Sequence, residues 1–313
     1  MESLFKVFAA KKFPVKKSWF GLKHEFPKVF YTPQWRLPVW LFVTYRVLST
    51  CCVFASFIYA LVRGVAKDGS RHFIYLSTWE NFAFDCYFAV ATANLIVSLR
   101  KDHLERLKQE RERQRQGGLR KFLKKFKKQP KEEPAVKQED EDETPLSYKI
   151  QWFLFNTTVP MSILVTIIYW TTLYTSPQST DLSELNVHIL TMILSFVELF
   201  ITATPVRFWH FIYPIAFDLI FDFFAVIYWA CGGTNSEGKP YIWPFLDYGN
   251  EPGTAGGVSL GMILSLLVLQ AMMYGFYKLR IWLAGKCGMH PDLKTGGDEK
   301  EGMVQGLMAD SPC

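Results

Sequence analysis

Few side chains in this sequence combine reactive chemistry with a setting that would use it. Ser77 and Thr78 open one long apolar stretch, and His188 opens another. A serine or threonine hydroxyl becomes a useful nucleophile when a base takes its proton, and histidine is the side chain best matched to that task at neutral pH. A hydroxyl and an imidazole held at one depth would hydrolyse an ester presented from the membrane. The plainer reading is that the hydroxyl caps a helix start and the histidine is an interfacial hydrogen-bonding group. A second set is acidic: Asp85, Glu198, Asp218 and Asp222 lie inside apolar stretches, with Glu80 and Arg46 for company. Ionisable groups within a bilayer are costly and mark functional candidates by default. Asp218 and Asp222, four residues apart, share a helix face. The four carboxylates together read either as a cation or proton pathway or as hydrogen-bonded glue within a bundle. Without a Gly/Pro-broken pair of spans to build a transport site, glue is favoured. Arg46 lies about two turns from a helix end and reads as a side chain that snorkels to the interface.

The elements that must position these residues follow from hydropathy. Half of the 313 residues are hydrophobic, and several runs reach the roughly 20 apolar residues needed to cross a bilayer. Six spans are predicted, at Val39–Val62, Phe73–Leu99, Gln151–Thr175, Asn186–Ala203, Phe208–Ala230 and Gly257–Leu283. Basic residues orient them. The first 38 residues hold eight Lys and Arg, residues 100–150 hold sixteen, Arg207 adds one and the tail from Lys278 adds five. The alternate connections hold only Arg63, Lys67, Arg71 and Lys239. By the positive-inside rule the rich side is cytosolic, and an even number of spans returns both termini there. The expected fold is an all-α six-transmembrane-helix bundle with both termini cytosolic. Its parts are a cytosolic segment (1–38), two spans (39–99), a charged loop (100–150), four spans (151–283) and a disordered tail (284–313). A soluble enzyme, a disulfide-stapled secreted domain and a disordered chain are excluded. The opening MESLFKVFAAKKFPVKKSWF lacks a signal-peptide pattern, so the first span is expected to act as the insertion signal. The six cysteines suggest no disulfide framework, and no cofactor motif or metal-ligand set is expected.

The charged loop divides by sign. Residues 100–131 carry a net charge of +10 and residues 132–145 one of −6. Leu119, Phe122, Leu123 and Phe126 recur at helical spacing among Lys and Arg, so residues 119–128 form a candidate contact with an anionic leaflet. The alternative is that the second span extends into water as LERLKQERERQRQ. Nucleic acid is not an expected partner, because the spans tether this loop to a membrane.

The order of elements resembles the rolling stone family of animal multispan membrane proteins. The segments that carry the likeness are FGLKHEFPKVFYTPQW (20–35), YLSTWENF (75–82), LNVHILTMILSFVELF (185–200) and YIWPFLDYGNEPGTA (241–255). The resemblance implies a plasma-membrane protein active in membrane remodelling or cell–cell (myoblast) fusion. More distantly, the chain is similar to the androgen-induced and androgen-dependent membrane proteins, six-span hydrolases of fatty acid esters with a Thr nucleophile and a His. Carried over, their Leu-Thr falls on Leu76-Ser77, with Thr78 as the alternative nucleophile. Their histidine falls on His188, beside Asn186, and their Trp-x-Tyr-Pro-Phe-Leu loop resembles Ile242, Trp243, Pro244, Phe245 and Leu246. The implied pocket, for a lipid ester substrate, comprises Trp79, Asn81, Asn186, Trp243, Pro244 and Phe245. The sequence departs from those hydrolases in holding Ser where they hold Thr, and in its long charged loop.

Overall fold

The computed structural model describes residues 20–125, 144–174 and 186–288, with the side chains of 118–125, 186 and 187 outside that description. Helices dominate, and the described residues contain no β-strand. Helix α1 (Val39–Asp68) follows Pro38 and stops at Gly69, whose φ of +61° only glycine adopts readily. A 3₁₀ turn, Gly69–Ile74, leads into α2 (Leu76–Lys125). Helix α3 (Leu146–Ile168) ends in a π-helical turn, Tyr169–Leu173. A second π turn, Asn186–Leu190, opens α4 (Thr191–Ile201). A 3₁₀ turn at Phe208–Phe211 precedes α5 (Ile212–Ala230), and Pro252 starts α6 (Pro252–Lys286).

Five of these helices are long and apolar enough to cross a membrane. The fourth predicted span differs. Among the described residues its apolar helix is His188–Ile201, ending two residues before the predicted Ala203. The reason lies at Thr202, which leaves the helix to form a bridge with Pro33. Helix α2 departs in the other direction. Its 50 residues would measure about 75 Å at 1.5 Å per residue, so its second half must project beyond a bilayer. The backbone thus follows the water-exposed extension of the second span up to Lys125. The candidate leaflet contact at 119–128 and the tail beyond residue 288 lie outside the described side chains.

Helix α3 is the hub, packed on α2, α4, α5 and α6 and buried almost continuously from Gln151 to Thr166. Lipid tails are as apolar as leucine, so bundle contacts inside a membrane depend on close packing and hydrogen bonds. Small polar groups supply them: Ser162 and Ser195 hydroxyls meet at 2.6 Å, Thr50 and Thr92 at 2.6 Å, and Asn94 Nδ2 donates to Gln151 Oε1 at 2.8 Å.

One end of the bundle is capped by residues 20–37. Gln34 N–H donates to the Ile201 carbonyl (2.8 Å), Trp35 Nε1 to Phe200 (2.7 Å), and Gln151 Nε2 to the Phe30 carbonyl (2.8 Å). Arg207 lies over the Trp152 ring and donates to the carbonyls of Gly21 and Lys23 at 2.6 and 2.8 Å. From α6, buried Arg280 reaches the carbonyl of Thr204 (2.8 Å) and that of Leu199 (2.5 Å), the latter one of the groups a helix end leaves without intrahelical partners.

Candidate functional site

At the opposite end the helices part around a cavity of about 1190 Å³, above the usual range of about 300–1,000 Å³ for small-molecule sites. Its wall is formed by the last turns of α1, the 3₁₀ turn with His72, and Leu76, Ser77 and Thr78 of α2. The π turn with Tyr169, then His188, and the segment Trp243–Leu246 complete it, with Phe221 and Met262 contributed by α5 and α6. Ser77, Thr78, His188, Trp243, Pro244 and Phe245 therefore share one cavity.

His188 is set by the two π turns. Its ring stacks on Tyr169 with centroids 4.0 Å apart and planes 13° from parallel. Thr166 Oγ1 donates to the His188 carbonyl at 2.5 Å, fixing the backbone beneath it. The side chain is 7% exposed and its Nδ1 has no hydrogen-bond partner, leaving one imidazole nitrogen uncommitted in a buried position. Ser77 is half-buried, and no hydrogen bond joins it to His188. The Thr78 hydroxyl is already committed, donating to the His72 carbonyl at 2.9 Å. The Asn186 side chain lies outside the described residues.

Two predicted pocket residues point elsewhere. Trp79 packs on Phe221 and Phe224 and gives its Nε1 proton to the Phe73 carbonyl (2.8 Å). Asn81 folds back on the Ser77 carbonyl (2.6 Å), one turn along its own helix. Both brace the start of α2 from behind the wall.

The 243–245 segment is held as a firm cover. Tyr75 and Trp243 rings meet at 4.7 Å, and Trp243 stacks on Phe245. Before it, Asn235 Oδ1 accepts the N–H groups of Glu237 (3.0 Å) and Lys239 (2.9 Å). After it, Asp247 accepts from Gly249 N–H, Asn250 N–H and Asn250 Nδ2. The bonds from Asn250 hold the Asp247 carboxyl below its usual pKa.

The acidic residues do not assemble. Among the described residues no three His, Cys, Asp or Glu side chains converge as a metal site would require. Glu198 is committed to an ion pair: its Oε1 accepts from Arg46 Nη1 (2.8 Å) and Tyr45 Oη (2.6 Å), and its Oε2 from Tyr87 Oη (2.6 Å). Arg46 is 2% exposed, so the snorkelling expectation is overturned: it turns inward because Glu198 offers it a counter-charge. A single pathway through Asp85, Glu198, Asp218 and Asp222 is likewise not what the side chains build. Asp218 and Asp222 adjoin each other on α5, and Asp85 neighbours Glu80 on α2.

A family model described as "Protein rolling stone" matches residues 131–287, half of the chain. The chain belongs to the rolling stone family. Protein rolling stone of Drosophila melanogaster is 28% identical over 141 residues, covering 44% of this chain and 51% of the fly protein. This family member thus spans about half the length of that curated relative. No solved structure matches it. The matched segment of this rolling stone protein carries His188 and the 243–245 cover, whereas His72, Ser77 and Thr78 precede it.

Reasoning from sequence missed His72 and Tyr169. His72 falls one residue before the predicted second span, and Tyr169 sits within the third as one aromatic among apolar neighbours. The usable signal for His72 was its place six residues before Thr78, in the connection that must cross over the bundle end.

Proposed function

We propose that this rolling stone family protein is a membrane-embedded hydrolase of lipid esters. The supporting observation is the shared cavity, lined by Ser77 and His188 and by an aromatic cover. His188 takes the Ser77 proton as Oγ bonds to the ester carbonyl carbon. The carbon–alkoxide bond then breaks, and the proton on His188 passes to the departing alcohol. Water, deprotonated by the same imidazole, releases the acid and restores Ser77. By the positive-inside rule the capped side, rich in basic residues, belongs in the cytosol, and the cavity then faces the outer leaflet.

Family membership favours a second, compatible reading: membrane remodelling or cell–cell fusion at the plasma membrane. Cleaving lipids in the outer leaflet is one route to it, and partner contacts are another. Labelling with a fluorophosphonate probe tests the chemistry. Ser77→Ala and His188→Ala should abolish labelling while Thr78→Ala retains it; labelling that survives all three removes this site from consideration. Cell mixing that persists with Ser77→Ala would separate fusion from hydrolysis.

A further inference from the structure

The cavity holds a second imidazole that the hydrolase reading leaves unused. His72 lies on the 3₁₀ turn between α1 and α2, and its ring lies against the α1 backbone at Gly64. A Cβ at Gly64 would collide with His72 Nδ1 and Cε1. Gly64 is helical, with no positive φ to explain it; the missing side chain is what lets the ring seat there.

The other edge of the ring faces Thr78, with Nε2 at 3.5 Å from Oγ1. A threonine hydroxyl has one proton, and this one is already donated to the His72 carbonyl at 2.9 Å. In the Nε2 contact only the ring is left to donate, which the Nε2–H tautomer does. At 3.5 Å the N–H is barely engaged. Gly64, His72, Ser77 and Thr78 all line the cavity. The structure consequently presents a loosely held, pre-oriented N–H beside the residue that neighbours Ser77.

We infer that His72 Nε2–H is an oxyanion donor for acyl transfer at Ser77, held in place by the notch at Gly64. This rests on the hydrolase reading above. When Ser77 Oγ attacks, the carbonyl π electrons move to oxygen, and the resulting oxyanion is a far better acceptor than the Thr78 hydroxyl. The Nε2–H swings its hydrogen bond to that oxygen and keeps its proton; when the intermediate collapses, the bond relaxes to Thr78. Donors aimed at charge that exists only in the transition state raise turnover more than substrate binding.

The test uses the full-length protein in lipid nanodiscs, with p-nitrophenyl butyrate as substrate and a fluorophosphonate as active-site probe. His72→Phe should lower kcat on the order of 100-fold with little change in KM. His72→Gln, which keeps a side-chain N–H, should recover a large part of that loss. Gly64→Ala, which leaves the imidazole intact but evicts it from its seat, should resemble His72→Phe. A His72→Phe protein within twofold of wild-type kcat overturns the inference. Equal impairment of the Phe and Gln variants also overturns it, since that marks a packing role. Failure of the underlying reading has its own signature: wild type and Ser77→Ala would show the same turnover and the same labelling.

Discussion

Removing Glu198 is the sharpest test of how the bundle is held. Its carboxylate accepts from Arg46, Tyr45 and Tyr87, all within 2.8 Å, and it is fully buried. Glu198→Leu strands the Arg46 guanidinium among the rings of Phe42, Tyr45, Tyr87 and Phe88. Losing one partner of a buried pair costs about 3–5 kcal/mol, whereas an interhelical hydrogen bond within a membrane protein averages about 0.6 and reaches about 1.7 kcal/mol. Tyr87→Phe should therefore be mild and Glu198→Leu severe, with a fall in Tm on the order of 10 °C. The double variant Arg46→Met/Glu198→Leu removes both charges and should regain most of the loss. Fluorescence-detected unfolding in nanodiscs over the full double-mutant cycle measures the coupling. Additive single effects, or a Glu198→Leu cost within about 0.5 kcal/mol of Tyr87→Phe, would refute the claim that the charge pair organises this layer.

Arg280→Met should lower stability by about 2–3 kcal/mol, because the Leu199 and Thr204 carbonyls lose charged donors in a buried setting; the same unfolding measurement reads it. His24 supplies a pH dependence. Burial, and then the charge of Arg207, lower its pKa from 6.5 to about 4, and its Nδ1 accepts the Phe26 N–H at 3.1 Å. The unfolded chain binds the proton first, so this contribution is complete above about pH 6.5 and declines as pH falls toward 4. Comparing wild type with His24→Gln by unfolding across about pH 4–8 should show a shallower slope in the variant; identical slopes would exclude His24 as the source.

The sequence made the apolar helices legible wherever a run of adequate length stood between charges or prolines, as in α1, α5 and α6. It carried α4 two residues too far because Thr202 and Ala203 are as compatible with a helix as Ile201. The helix is stopped by pairing with residues 32–34, and no local pattern announces a partner so distant along the chain. The same non-locality hid the Arg46–Glu198 pair: each residue alone has a sensible reading, as a snorkelling cation or an isolated carboxylate, and only packing distinguishes them. Ser77 and His188 could be placed on one side of the membrane by charge counting. Their common cavity depends on the turns at 69–74 and 169–173, whose geometry is set by contacts between helices. His72 was invisible for a simpler reason: an imidazole in a short polar connection looks solvated until the glycine beneath it is known.

Helix α4 links these features. Its last turn is gripped by Trp35, Gln34 and Arg280, and its middle by the Glu198 pair. Its first turn, by contrast, is π-helical and bears His188. It is stabilised by buried polar contacts that a lipid-facing helix could not tolerate. Those contacts gather at the capped end, leaving the other end to be positioned by Tyr169 and Thr166. A catalytic group needs a rigid support and a precisely directed side chain. Here the support is the clamped segment Ser195–Ile201, and the direction comes from the two facing π turns. A π turn inserts an extra residue into the helix and rotates the residues beyond it, and such insertions gather at functional sites. Two of them, meeting at the Tyr169–His188 stack on the cavity wall, are difficult to explain by packing alone, because regular α-helix would satisfy the same backbone groups more evenly.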